Sequence, residues 1–175
     1  EGERAEGDLD DDEDSGGHRL VDTVQAALNR LAATQRTLSY SDARRNREYK
    51  LEPGPIPFFM HRERGLHLDE HEATIDGSPV NAALLGTALT MFWGGRAQIE
   101  DGKGLYWYLP KMESADEARL YRDVFDESKK LLNLPDNAVI KVIPLVESLP
   151  IVYQMEEVLY ALGPYAAGLN AARWD

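Results

Sequence analysis

Lys141-Val142-Ile143-Pro144-Leu145-Val146-Glu147-Ser148-Leu149-Pro150 opens the last third of the chain, and its reading decides the fold. An apolar, β-branched run that ends in an acid is the pattern of a buried parallel strand with a carboxylate at its C-terminal tip. Helix-period sequence follows, and then Gly168-Leu169-Asn170-Ala171-Ala172-Arg173-Trp174-Asp175, a second short run that ends in another acid. Strand, helix, strand is the βαβ unit, which sets both strand tips at the same end of a parallel sheet. Glu147 and Asp175 brought together there suit a hard divalent cation such as Mg2+, which takes one or two carboxylates and keeps positions open for water or substrate oxygens. The residues alone leave a plainer alternative open, in which Glu147 caps the next helix and Asp175 is an ordinary loop acid.

Upstream the alternation repeats. Leu105-Tyr106-Trp107-Tyr108-Leu109 reads as an aromatic-rich strand with Pro110-Lys111-Met112-Glu113 at its tip. Ser114-Ala115-Asp116-Glu117 is a capping box, opening a helix whose Ala118, Tyr121, Val124, Phe125 and Leu132 share a face. Ser78-Pro79 reads as another helix start, and the helix through Leu84, Leu85, Ala88, Met91 and Phe92 should weaken or bend at Gly94-Gly95. Pro55-Ile56-Pro57-Phe58-Phe59-Met60 is a short strand with Arg62 just past its end. His67-Leu68-Asp69-Glu70-His71 fits an inverted zinc-protease motif. It follows a strand and a glycine and runs into the turn Asp76-Gly77, so the helix that zinc ligation needs is not expected. Leu20, Val24, Ala27, Leu28 and Leu31 recur at three and four, predicting an amphipathic helix from Arg19 to about Leu38. Ser39 to Arg47 then reads as a polar turn carrying Arg44, Arg45 and Arg47.

Composition narrows the classes of partner. The 175 residues, 43% hydrophobic and 29% charged, make one domain or part of one, with apolar material for a core. No apolar run has the length of a membrane span. The absence of cysteine excludes disulfides, thiolate metal sites and a cysteine nucleophile. Net charge is −12, and residues 1–14 hold nine acids against Arg4 alone. Without a basic stripe to neutralise phosphates, nucleic-acid binding is not expected.

Three stretches, "LVESLPIVYQMEEVLYAL…AAGLNAARWD", "GLYWYLPKMESADEARLYRDVF" and "MHRERGLHL", resemble the malate synthase family in the expected order. The resemblance runs from about Leu9 to Asp175. It implies a partial (β/α)8 TIM barrel, about five of eight strands in a parallel sheet with outer helices. Residues 1–175 would then be part of one catalytic barrel domain truncated at both ends, with the remainder of the same enzyme chain as its partner. The implied reaction is condensation of acetyl-CoA with glyoxylate and thioester hydrolysis to malate and coenzyme A, with Mg2+ required. Glu147 and Asp175 would hold the metal and, with the amides of Ala172, Arg173 and Trp174, the glyoxylate. The family usually has glycine where this chain has Ala172, which sets a methyl group against that pocket. Arg62 matches the catalytic arginine, and Lys111 resembles a pocket lysine with no step assigned.

Asp11-Asp12-Glu13-Asp14-Ser15 is similar to the family's strand-end motif, with Asp12 where the family has an apolar residue. As such a tip it would turn Asp11 and Glu13 to the metal and set Ser15 near the coenzyme A thioester. The other reading of this acidic block is a solvated tail, with residues 1–8 disordered. The basic cluster at Arg44, Arg45 and Arg47 is a solvated loop or a grip on coenzyme A phosphates. The family's catalytic base, an aspartate, has no counterpart here, so the piece alone is expected to be inactive. Two rivals stand: a citrate-lyase-β-like enzyme or malyl-CoA lyase, and a non-catalytic acidic binding fragment. The expected location is cytoplasmic, or peroxisomal or glyoxysomal in a eukaryote.

Overall fold

The computed structural model describes residues 5–173, so Trp174 and Asp175 lie outside the described residues. In chain order the elements begin with β1 (Gly7–Asp11), α1 (Leu20–Thr34), a hairpin of β2 (Ser39–Asp42) and β3 (Arg47–Lys50), and β4 (Phe58–Arg62). A second hairpin, β5 (Asp69–Ile75) and β6 (Ser78–Asn81), leads to α2 (Ala82–Leu89), a π-helical turn (Thr90–Gly95) and α3 (Arg96–Glu100). Then come β7 (Leu105–Leu109), α4 (Ala115–Leu131), β8 (Ile140–Val146), α5 (Leu149–Val152), α6 (Met155–Leu162), a 3-10 turn (Gly163–Tyr165) and β9 (Asn170–Ala171).

β1, β4, β7, β8 and β9 form one curled sheet in that order, every pair parallel, with helices in the crossovers. The parallel sheet is what the strand–helix alternation predicts, and its curl makes the partial α/β barrel that the resemblance implies. Pro144, which has no N–H to donate, sits where the pairing of β8 with β7 ends at Leu109 and the pairing with β9 begins at Leu145. Leu105, Trp107 and Leu109 alternate toward the helices and are fully buried, while Tyr106 and Tyr108 face the other side, half-buried. Trp107 packs on Phe125 of α4 at 5.8 Å between ring centroids, and Phe125 on Tyr165 at 5.3 Å. Burying rings of this size stabilises the fold by about 1.5–3 kcal/mol each.

The capping box forms. Ser114 Oγ accepts the Glu117 amide at 3.3 Å, and Glu117 Oε2 accepts the Ser114 amide at 3.1 Å. α4 therefore starts just past the tip of β7 and fixes the intervening loop.

Several expectations are corrected. Ser78 and Pro79 open β6, not a helix; Asn81 caps α2, accepting the Leu84 amide at 3.1 Å. Ser39 to Arg47 is a hairpin arm and its turn, with Tyr40 stacked on Tyr49. α1 ends at Thr34 and buries Thr23, Ala27, Arg30, Ala33 and Thr34, while Leu28 on the expected apolar face is exposed. What draws Arg30 inward is a set of acids beneath it. The acidic N-terminal block becomes strand at Gly7, so Gly7 and Asp8 belong to β1 and not to a disordered tail. Gly94-Gly95 marks the end of the π-helical turn, the irregularity expected there.

Candidate active site

In a parallel α/β barrel the polar side chains gather where the strands end at their C-terminal tips. The residues just past the tips of β1, β7 and β8 are Asp12 and Glu13, Lys111, and Glu147, and Arg62 is the last residue of β4. Asp11 and Arg62 are direct neighbours in register on β1 and β4. The Arg62 guanidinium meets Asp11 as a fork, Nε to Oδ1 at 2.7 Å and Nη2 to Oδ2 at 2.6 Å, and Nη2 reaches Asp14 at 3.0 Å. Its remaining nitrogen, Nη1, stands 3.5 Å from Glu13 Oε2 without a hydrogen bond. Hydrogen bonds and charge from Asp11 push the guanidinium pKa above its already high value, so Arg62 is a permanent cation.

Glu13 is buried, 8% exposed, and its Oε2 has no hydrogen-bond partner. Burial and the neighbouring Asp14 push its carboxyl up to about 7, against the pull of Lys111 and Arg62. Lys111 Nζ lies 3.7 Å from Glu13 Oε1 and 3.9 Å from Glu147 Oε2, and the Lys111 amide donates to Glu147 Oε1 at 2.5 Å. Lys111 holds φ at 53°, a left-handed conformation uncommon outside glycine, and with it aims that amide at Glu147. Ser148 Oγ donates to the Met112 carbonyl at 2.7 Å, locking the tip of β8 against the loop after β7. Tyr108 faces the same interior, its phenol pushed up by burial, lowered by Arg62 and raised by Glu147.

The expected site residues divide. Arg62 and Glu147 come together with Glu13 and Lys111. Trp174 and Asp175 lie outside the described residues, and the expected Glu147–Asp175 pair lies outside them too. Ser15 is on the loop after β1, at this end of the sheet, but its hydroxyl closes that loop on the Asp11 carbonyl at 2.8 Å. The Ala172 amide donates to the Val146 carbonyl at 3.1 Å, so the ladder uses it and it is not directed at a substrate oxygen. Arg173 follows directly. The hairpin carrying Arg44, Arg45 and Arg47 follows the C-terminus of α1, which puts it at the opposite end of the sheet from these tips. A grip on a ligand at the tips is thereby ruled out for it. His67 and His71 are exposed while Glu70 is buried on Arg64 at 2.9 Å, and Glu70 and His71 lie in β5, so the zinc-helix geometry is absent.

Carboxylate oxygens are the donor type that a hard cation takes, and between Glu13 and Glu147 the Lys111 ammonium already stands as the positive charge. Among the described residues no three His, Cys, Asp or Glu side chains stand together for a metal. Glu147, whose side chain is 3% exposed, is the described member of the expected pair.

Sequence reasoning missed a second cluster, on the helix side of the same tips. Arg30 of α1 donates to Asp10, Asp12, Glu63 and Thr90, and His61 Nδ1 lies 2.6 Å from Asp10 Oδ2. Arg30 shares a face with Ala27 and Thr34, but that spacing carries no signal of the acids that bury it.

The family model described as "Malate synthase, TIM barrel domain" matches residues 58–175, two thirds of the chain. The chain belongs to the malate synthase family. The malate synthase of Myxococcus xanthus (strain DK1622) is 39% identical over 165 residues, covering 94% of this chain and 30% of the relative. That of Streptomyces clavuligerus is 37% identical over 169 residues, 95% of this chain and 31% of the relative. That of Oryza sativa subsp. japonica is 38% identical over 156 residues, 87% and 27% respectively. The chain thus spans about 30% of the length of the curated relatives it matches.

Proposed function

We propose that this chain is the part of a malate synthase barrel that binds glyoxylate and stabilises the oxyanions of its condensation with acetyl-CoA. The observation that carries the reading is the convergence of Arg62, Glu13, Lys111 and Glu147 from four successive strand tips. Asp11 holds the Nε/Nη2 edge of the Arg62 guanidinium, which leaves Nη1 toward Glu13. A planar cation fixed in this way can donate to an enolate oxygen, and then to the alkoxide, as each forms. Because the fork is held before substrate arrives, little reorganisation is needed at the moment of reaction.

Glu147, with Asp175, would hold Mg2+, and the bound ion would supply Lewis-acid polarisation of the aldehyde. The Lys111 amide orients the Glu147 carboxylate, and the Lys111 ammonium offsets charge between Glu13 and Glu147. The proton acceptor for the acetyl methyl group belongs, on this reading, to other residues of the enzyme, and the piece alone is inactive.

The test is to incubate the full-length enzyme with acetyl-CoA, glyoxylate and MgCl2, and to follow free thiol and malate. Glyoxylate-dependent coenzyme A release that requires Mg2+ is the expected result. Cleavage of malyl-CoA without thioester hydrolysis would replace the reading with a lyase.

A further inference from the structure

Arg30 lies on the helix side of the sheet, where nothing in the proposed chemistry reaches. Its side chain is 6% exposed and all five of its N–H donors are taken. Nε and Nη2 donate to Asp10 Oδ1 at 2.8 and 2.5 Å, and Nη2 also to Asp12 Oδ2 at 2.8 Å. Nη1 donates to Glu63 Oε1 at 2.8 Å and to Thr90 Oγ1 at 2.7 Å. Asp10 and Asp12 flank Asp11 at the tip of β1; Glu63 follows Arg62 at the tip of β4. Side chains alternate along a strand, so the residues that turn outward to Arg30 bracket the pair that turns inward. The Asp12 amide donates to the Arg62 carbonyl at 2.9 Å and ties the two backbones at the same level.

We propose that Arg30 and Asp12 are positioning residues for Arg62, a clamp behind the barrel wall that sets how the tips of β1 and β4 meet and so where Arg62 Nη1 points. The functional consequence rests on the reading of Arg62 as the oxyanion-holding group. Asp12 stands where the family pattern has an apolar residue. A buried acid there requires a cation, and Arg30 is that cation, so the two residues form one device. A lysine at position 30 keeps the charge but, as a compact point charge, cannot span four acceptors on three elements.

The experiment uses the full-length enzyme labelled with 15N-arginine, in which the Arg62 Nε–H signal is assigned by its loss in Arg62→Lys. Arg30→Lys, Asp12→Ala and Asp12→Asn are compared with the parent for that signal, for thermal unfolding, and for kcat and KM. Folded Arg30→Lys and Asp12→Ala are expected to shift or broaden the Arg62 signal. Their kcat should fall about ten- to a hundredfold while KM for glyoxylate stays within about twofold, the scale at which small misplacements act. Asp12→Asn keeps an oxygen for Nη2 and should restore both signal and kcat. Should Arg30→Lys fail to fold, Asp12→Ala carries the test. An unchanged Arg62 signal in a folded variant overturns the clamp. A shifted signal with unchanged turnover retains the clamp and overturns instead the role given to Arg62.

Discussion

The two sides of one pair of strand tips are built from the same residue types and behave oppositely. On the helix side, Arg30 saturates its donors on three carboxylates and a hydroxyl at 2.5–2.8 Å. On the inner side, Glu13, Lys111 and Glu147 stand 3.7–3.9 Å apart, Arg62 Nη1 stops 3.5 Å from Glu13, and a buried Glu13 oxygen has no partner. A satisfied charge network rigidifies what it touches, whereas a buried oxygen without a hydrogen bond, as on Glu13, keeps attraction in reserve for something else. The first fixes geometry, and the second is suited to receive a ligand.

The comparison is broken hardest at Arg62. In the full-length enzyme, Arg62→Lys keeps the charge but loses the fork on Asp11, and turnover is expected to fall about 100- to 1,000-fold with little change in KM. Steady-state kinetics with unchanged turnover and raised KM would move Arg62 to a binding role. Next in size is Glu147→Gln, which keeps an acceptor for the Lys111 amide and removes the charge. Mg2+ affinity should drop by about a hundredfold in titration calorimetry; equal affinity would detach Glu147 from the metal.

On the helix side the expected effects are on stability. Burial pushes Asp12 up to about 6, against the pull of Arg30, with Glu63 and Asp10 adding to the rise. A carboxyl whose folded value lies above its unfolded one binds more protons when folded, so its contribution to stability falls as pH rises from about 4 to 6. Asp10 and Asp11 shift the other way: burial would raise both, but His61 and Arg30 lower Asp10, and Arg62 lowers Asp11. The quantity to read is therefore the parent minus Asp12→Asn. Denaturant unfolding across that window should show this difference move by about 2 kcal/mol, and a parallel pair of curves would refute the assignment. The smallest effect is at Gly86, where an added methyl would meet Glu63 Oε2 at 2.2 Å and press it away from Arg30. Gly86→Ala should cost about 1 kcal/mol in chemical unfolding, with the Arg62 chemistry weakened only if the two sides are coupled.

β7 and β8 were legible because each carries a period or an end signal that does not depend on the rest of the chain. β7 alternates cleanly, β8 is apolar without a break from Val142 to Val146, and Ser114 and Glu117 cap α4 between them. Ser78-Pro79 misled because a proline is tolerated at a strand edge as well as at a helix start, and the choice was made by pairing with β5. Glu147 stood out by its place after an apolar run, whereas Arg62, inside the polar run His61-Arg62-Glu63-Arg64, stood out only through the family resemblance. Arg30 was invisible for a physical reason. Its burial is caused by Asp10, Asp12 and Glu63, which lie 18 to 33 positions away, and no local pattern encodes their convergence.

The π-helical turn at Thr90–Gly95 has a consequence for angular phase. Thr90 donates to Glu63 Oε1 at 2.8 Å, and Gln98, eight residues on, reaches His61 Nε2 at 3.2 Å. At about 100° per residue, an uninterrupted α-helix would set those two side chains about 80° apart around its axis. A wider turn takes up an extra residue and rotates the second half back. One irregular turn thus lets a single helical segment address the Arg30 end and the His61 end of the same buried charge row.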